Sequence, residues 1–324
     1  MKKLLFIIIT FLLFACDPMD PAEPGNLVAK TVDEDASIPS VTLLETKLHV
    51  QTFGNANAPK IFVLEGGPGD DFRYMLPLNS VVNGWSLPGE YQVIYHDYRG
   101  CGLSRRHPLE ELTMAKSLKD LEELIDRYAP GEQVLLIGHS HGGKVAAQYL
   151  NQHPERVRGV VFLEPGAFSS DIVKKTPSAS ELNYFGKDLN QVLWAKQLIG
   201  MGDHERADYV YDLAKANVKD EERGEQCPYQ SYRSGTAAVI SIALDEVENS
   251  TYDFTTNLKN FEAKVLFISS EETTDIGYDF QEQYQVGFFK KHEHIKIPGT
   301  GHDGLLTCKA TETLQHIRKY LKEL

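Results

Sequence analysis

The sequence predicts an α/β fold: a mostly parallel sheet with helices on both faces and an inserted helical cap. Three observations carry this. Short, continuous apolar runs alternate with segments whose apolar residues recur at helical spacing. The run Gln133-Val134-Leu135-Leu136-Ile137 passes directly into Gly138-His139-Ser140-His141-Gly142-Gly143 and then into Lys144–Leu150, so a strand turns sharply into a helix. Finally, no strong strand pattern occurs from about 166 to 258, after which Lys264–Ser269 restores it.

The bulk numbers suit one large domain with an insertion. The chain has 324 residues, 42% hydrophobic and 24% charged. With 33 basic against 46 acidic residues the net charge is −13. That balance, with no basic run anywhere, argues against a nucleic-acid partner. Three cysteines follow the leader, Cys101, Cys227 and Cys308. An oxidising compartment permits a bridge between two of them, while buried free thiols are the simpler expectation. No cysteine or histidine cluster has metal-ligand spacing, so no metal and no cofactor are expected.

The first residues read as an export signal. Lys2 and Lys3 precede an apolar stretch, Leu4 to Ala15, too short for a comfortable membrane span. Leu13-Phe14-Ala15-Cys16 resembles the lipobox of bacterial lipoproteins. The resemblance implies cleavage before Cys16, lipidation of Cys16, and a protein of the bacterial cell envelope anchored to a membrane through that lipid. The Pro-rich polar stretch Asp17 to Asn26 fits a tether. The expected organisation is a signal peptide over 1–16, a tether over 17–40, a core over 41–165 and 259–324, and a helical cap over 166–258.

Along the core, Val41 to Phe53 alternates like one or two antiparallel strands. Lys60–Leu64 is a buried strand that leads into Glu65-Gly66-Gly67-Pro68-Gly69. Tyr91–His96 is the next, ending in Asp97-Tyr98-Arg99-Gly100-Cys101-Gly102-Leu103-Ser104. The spacing of Leu118, Leu121, Leu124 and Ile125 predicts a helix over 117–128, stopped by Pro130-Gly131. The elbow strand and helix follow, then a strand over Val157–Leu163. Helical patterns in the cap lie around 180–198, 207–218 and 236–247. Glu293–Ile297 is a last strand, followed by Gly299-Thr300-Gly301-His302-Asp303-Gly304 and a closing helix. In such sheets ligands bind beyond the carboxyl ends of the strands, and every one of these motifs lies there.

The elbow has its own chemistry. A tight strand-to-helix turn crowds the backbone on both sides of Ser140, which small residues at minus two and plus two relieve. The turn exposes the hydroxyl and directs the first N–H groups of the helix at whatever it attacks.

With these motifs in this order, the chain resembles the α/β-hydrolase superfamily, and within it the branch of prolyl iminopeptidases and related cap-bearing hydrolases. Glu65-Gly66-Gly67-Pro68-Gly69 is similar to that branch's H-G-G-P-G, and Asp97 to Ser104 to its D-Q-R-G-x-G-x-S. The resemblance covers roughly 41–165 and 259–324 and leaves out the cap. It implies an α/β-hydrolase fold with Ser140 as nucleophile, His302 as base, and the N–H groups of Gly67 and His141 as the oxyanion hole. The His141 side chain is expected to line the pocket.

Two departures from the branch pattern bear on the site. Where an aspartate is usual after the strand Val265–Ile268, this chain has Thr273 within Ser270-Glu271-Glu272-Thr273. Glu271 is the expected acid because it leaves the strand end first; Glu272, Asp275 and Glu164 are the alternatives. Glu65 stands where the branch has histidine, and pairing with Arg73 or Arg99 is expected over attraction of a substrate ammonium. An Asp97–Arg99 arrangement is expected to brace the loops. Iminopeptidase caps hold a peptide N-terminus with acidic residues, a role to which Asp245-Glu246 is a weak match.

The implied activity is a serine hydrolase, either an aminopeptidase on short peptides or a small-ester carboxylesterase. A non-catalytic binding lipoprotein that keeps the fold is the alternative of another class.

Overall fold

The computed structural model describes residues 26–175, 193–217, 230–248 and 251–324. The expected signal peptide and Cys16 lie outside these residues, as do Cys227 and the first part of the predicted cap helix around 180–198. No described helix is long and apolar enough to cross a membrane.

Eight strands form one sheet: β1 (Ser40–Thr42), β2 (Lys47–Phe53), β3 (Lys60–Leu64), β4 (Gln92–His96), β5 (Val134–His139), β6 (Val157–Leu163), β7 (Val265–Ser270) and β8 (His292–Ile297). Their order is β1-β2-β4-β3-β5-β6-β7-β8. β2 pairs antiparallel with β1 and with β4, and the pairings from β4 through β8 are all parallel. The strands expected from continuous apolar runs are therefore the interior of the sheet. Alternate residues serve opposite faces: Phe62 and Leu64 belong to one core cluster, Ile61 and Val63 to the other.

One face is covered by the helices Met114–Tyr128 and His141–Gln152. The first begins at Thr113, whose side chain accepts from the Lys116 N–H, and it buries Leu118, Leu121, Leu124 and Ile125. Each such burial contributes roughly 1.5–3 kcal/mol. The second is buried from His141 to Leu150. On the other face the closing helix Ala310–Leu321 buries Leu314, Ile317 and Leu321. Two elements are not among those expected from the sequence, the 3-10 segment Phe72–Asn79 and the short helix Tyr278–Tyr284.

The expected tether does not run to residue 40. Val32 is buried, and its N–H donates to the Leu103 carbonyl at 2.8 Å. The Leu27 N–H donates to Glu205 of the cap at 3.1 Å, and Arg233 donates to the Ala29 carbonyl at 2.9 Å. Local polarity suggested a free linker, but these long-range partners lie far along the chain.

The expected cap region between β6 and β7 includes the helices His204–Asn217 and Thr236–Glu248. Two buried carboxylates fasten it. Asp208 accepts from Arg233 Nε at 2.7 Å, Arg106 Nε at 3.0 Å and the Thr236 N–H at 2.9 Å. Asp71, just after the glycine-rich loop, accepts from Ser231 Oγ at 2.7 Å, the Arg233 N–H at 3.1 Å and the Tyr232 N–H.

The expected Asp97–Arg99 brace is not formed. Arg99 makes a bidentate pair with Asp120, at 2.7 and 2.6 Å, with the side chains 1% and 3% exposed. Asp97 instead accepts the N–H groups of Phe72 at 3.2 Å and Leu103 at 2.7 Å. Backbone donors surround Asp97 because its own loop folds back over it, so Arg99 is free to reach the helix Met114–Tyr128. Cys101 is a buried free thiol, as expected. Cys308 is disulfide-bonded, contrary to the expectation of free thiols, and its partner lies outside the described residues.

Removing one partner of a buried ion pair strands the other charge. Asp120→Ala is expected to lower the unfolding free energy by about 3–5 kcal/mol, read from chemical denaturation, with Asp120→Asn losing less.

Candidate active site

β5 ends at His139, and Ser140 follows with φ 51° and ψ −116°, immediately before the helix His141–Gln152. Backbone hydrogen bonds hold this strained residue. Its N–H donates to the Leu163 carbonyl at 3.1 Å, and its carbonyl accepts from Gly166 at 2.9 Å and Gly143 at 3.0 Å. The flanking glycines are required by contact. A Cβ on Gly142 would lie 2.2 Å from the Leu64 carbonyl oxygen, and one on Gly138 would lie 2.6 Å from the Gly142 oxygen.

His302 lies in the loop after β8 and is 7% exposed. Its Nδ1 lies 2.6 Å from Glu164 Oε2. Glu164 directly follows β6, is fully buried and takes a left-handed backbone, φ 43°. Its other oxygen accepts from the Ser270 N–H at 3.0 Å and from Ser270 Oγ at 2.7 Å, and Ser270 Oγ is 2.7 Å from Thr273 Oγ1. With the Ser270 proton given to the carboxylate, Thr273 is the donor to Ser270. Thr273, at the position where the resemblance leads one to expect an acid, thus supports Glu164 through Ser270.

The structure brings Ser140, Glu164 and His302 to one end of the sheet and leaves Glu271 out. Glu271 is exposed, and its Oε2 accepts from the Gly299 N–H at 3.1 Å. Glu272 and Asp275 are not the partner of His302 either. β6 lies beside β5, which Ser140 follows, and beside β7, whose Ser270 holds Glu164, while Glu271 turns away to the Gly299 N–H. Glu164 was among the alternatives, but nothing local in the sequence ranks it above Glu271.

His141 is the first residue of its helix, where a backbone N–H has no intrahelical acceptor. Its side chain is buried, and burial lowers the imidazole pKa to about 3, so the ring is neutral. It lines a small cavity together with Pro68, Tyr98, Leu112, Ala238 and Ile242. The volume, about 10 Å³, is close to what one water needs. The helix Thr236–Glu248 supplies Ala238 and Ile242 to this lining. Gly67 follows β3 with φ 115°, beside the elbow.

Glu65 is neither at the rim nor paired with an arginine. It is fully buried, and its Oε1 accepts from the Tyr98 N–H at 3.0 Å. Burial, reinforced by Asp97, holds its pKa well above the usual carboxylate range. A neutral acid there cannot draw in an ammonium. The Asp245 and Glu246 side chains lie outside the described residues. Among the described residues, one trio offers ligand-type atoms within 4.8 Å of one another: His139, His302 and Asp303.

A family model described as alpha/beta hydrolase fold matches residues 59–307. The chain is 30% identical over 102 residues to a proline iminopeptidase of Saccharolobus solfataricus, covering 31% of each protein. It is 30% identical over 135 residues to a cis-3-alkyl-4-alkyloxetan-2-one decarboxylase of Shewanella oneidensis, covering 41% of this chain and 40% of that one. The matched segments thus span only about a third to two-fifths of these relatives. Among solved structures, an esterase from Thermogutta terrifontis superposes with a TM-score of 0.62 at 19% identity, over 88% of this chain and 97% of the other. A proline iminopeptidase from Mycobacterium smegmatis gives 0.56, also at 19%, over 88% and 97%. At such identities the superpositions speak for the fold.

The buried histidines set an acid-side dependence of stability. Burial lowers His96 from 6.5 to about 4 and His141 to about 3. Between pH 6.5 and about 4 the unfolded chain therefore binds more protons at these two sites than the folded one, and their contribution to stability falls as pH falls. His96→Leu is expected to flatten the decline of Tm across that window, measured by thermal melts at successive pH values.

Proposed function

The chain belongs to the α/β-hydrolase family, and we propose that it is a serine hydrolase that cleaves an amide or ester through an acyl-enzyme. Ser140 is the nucleophile, His302 the base and Glu164 the acid of the triad. The observation that carries this is the 2.6 Å contact between the Glu164 carboxylate and His302 Nδ1, at the sheet end that also holds Ser140.

Glu164 accepts the Nδ1–H and so fixes the tautomer that leaves Nε2 as proton acceptor. Ser140 Oγ attacks the carbonyl carbon as Nε2 takes its proton. The carbonyl oxygen becomes an oxyanion facing the N–H groups of Gly67 and His141; losing one such donor typically costs about 10²–10³ in rate. Collapse breaks the bond to the leaving amine or alcohol, which receives the proton from His302. Water, deprotonated by the same nitrogen, then attacks the acyl carbon and releases the acid and Ser140.

For substrate, the local similarity to proline iminopeptidases and the GGPG and DYRG motifs support a short peptide with a free N-terminus. A small carboxylic ester is the alternative, since the fold alone does not fix substrate. The binding-protein alternative rested on the misplaced acid, Thr273 standing where the branch has aspartate, and the contact between Glu164 and His302 argues against it. Lipid anchoring at Cys16 in the bacterial envelope belongs to the same proposal and rests on the lipobox resemblance.

A fluorophosphonate probe is expected to label wild-type protein at Ser140 and to leave Ser140→Ala unlabelled, with turnover lowered at least ~10³-fold. Absence of labelling in folded wild-type protein contradicts the assignment. On a panel, prolyl and alanyl arylamides are expected to give higher kcat/KM than short acyl esters; the reverse order assigns the ester.

A further inference from the structure

We infer that Tyr74 and His139 are positioning residues that hold the oxyanion loop, the nucleophile elbow and the base at one fixed spacing through a continuous buried hydrogen-bond chain. The inference rests on the serine-hydrolase assignment and adds two residues to it.

Tyr74 lies in the 3-10 segment Phe72–Asn79, directly after the glycine-rich loop. Its hydroxyl accepts from the Gly66 N–H at 2.7 Å and lies 2.7 Å from His139 Nδ1. His139 Nε2 lies 3.3 Å from the main-chain oxygen of His302. A carbonyl only accepts, so Nε2 carries the proton of this contact. In the neutral ring Nδ1 is then an acceptor, and Tyr74 is the donor. Protons thus point one way along the chain: Gly66 N–H to Tyr74, Tyr74 O–H to His139, His139 Nε2–H to His302.

Every stop but Tyr74 is a catalytic group or the sequence neighbour of one. Gly66 precedes the oxyanion donor Gly67, His139 precedes Ser140, and the last acceptor belongs to the base itself. The links are buried. Tyr74, His139 and His302 are 2%, 1% and 7% exposed. The two imidazoles pack with centroids 4.3 Å apart and planes 33° apart. A Cβ on Gly66 would sit 2.8 Å from the Tyr74 hydroxyl and 2.9 Å from His139 Nδ1. Burial holds the Tyr74 hydroxyl well above its usual pKa, so it keeps the proton it donates.

Filling this space needs no such chain, since apolar side chains of similar shape would pack equally well. What the polar chain adds is a fixed distance between donor loop, nucleophile and base. Loss of that kind of registration costs on the order of 10²-fold per ångström of misplacement.

The test follows acylation by a fluorophosphonate, separating kinact from KI, in Tyr74→Phe, His139→Gln and the double variant, with thermal melts alongside. His139→Gln keeps a donor near Nε2 and loses the acceptor for Tyr74. Each single variant is expected to lower kinact about tenfold or more with KI within threefold. The double variant is expected to lose no more than the worse single one, because both break one chain. If His139→Gln fails to fold, His139→Asn replaces it; it keeps the Tyr74 acceptor, loses the His302 link, and is expected to lose kinact as well. Folded variants with kinact within twofold of wild type, or losses that multiply, overturn the inference. Wild-type protein that is not acylated overturns the hydrolase assignment itself, a separate and recognisable result.

Discussion

A carboxylate with no exposed surface must have its lone pairs met inside the protein, and Glu164 is where this fold meets that demand. His302 takes one oxygen and Ser270 the other, by both its N–H and its hydroxyl. Breaking such a buried arrangement from one side typically costs about 3–5 kcal/mol. The arrangement therefore binds the end of β6, the end of β7 and the loop after β8 into one unit. The strained turns at Ser140 and Glu164 persist because this unit and the Leu163 and Ile268 carbonyls over-determine them.

The same logic runs through the neighbouring loops. Asp97 gathers the backbone of its own loop and of Phe72, Arg99 crosses to Asp120, Asp71 reaches into the cap, and Asp208 reaches out of it to Arg106. Four carboxylates thus carry the glycine-rich loop, the loop after β4 and the cap's return segment as one frame around the elbow.

Much of this was legible from sequence. Apolar runs placed β3 and β6 to the residue, because a strand buried on both faces leaves a nearly continuous apolar signature, interrupted in β6 only by the exposed Arg158 and by Gly159. Glycine spacing placed Ser140 on a strand-to-helix turn, where the structure has it, and motif position placed His302 in the loop after the last strand. Glu271 was preferred as acid because proximity in sequence to β7 stood in for proximity in space. Glu164 and Ser270 are 106 positions apart and meet only because β6 and β7 are neighbours. Glu65 misled for a related reason. A lone glutamate beside glycines looks exposed, whereas the sheet end closes over it completely. The true partner of Arg99 was hidden because Asp120 lies on the helix Met114–Tyr128 and is covered only by tertiary packing.

The central claim is that the acid stands after β6. Steady-state turnover of Glu164→Gln against Glu271→Gln tests it most directly, because a glutamine keeps the shape and loses the acceptor that fixes the histidine tautomer. Loss of kcat by about 10³–10⁴ in Glu164→Gln, with Glu271→Gln within twofold of wild type, is the predicted result. A folded Glu164→Gln enzyme with near wild-type kcat, or the large loss appearing in Glu271→Gln instead, would contradict it.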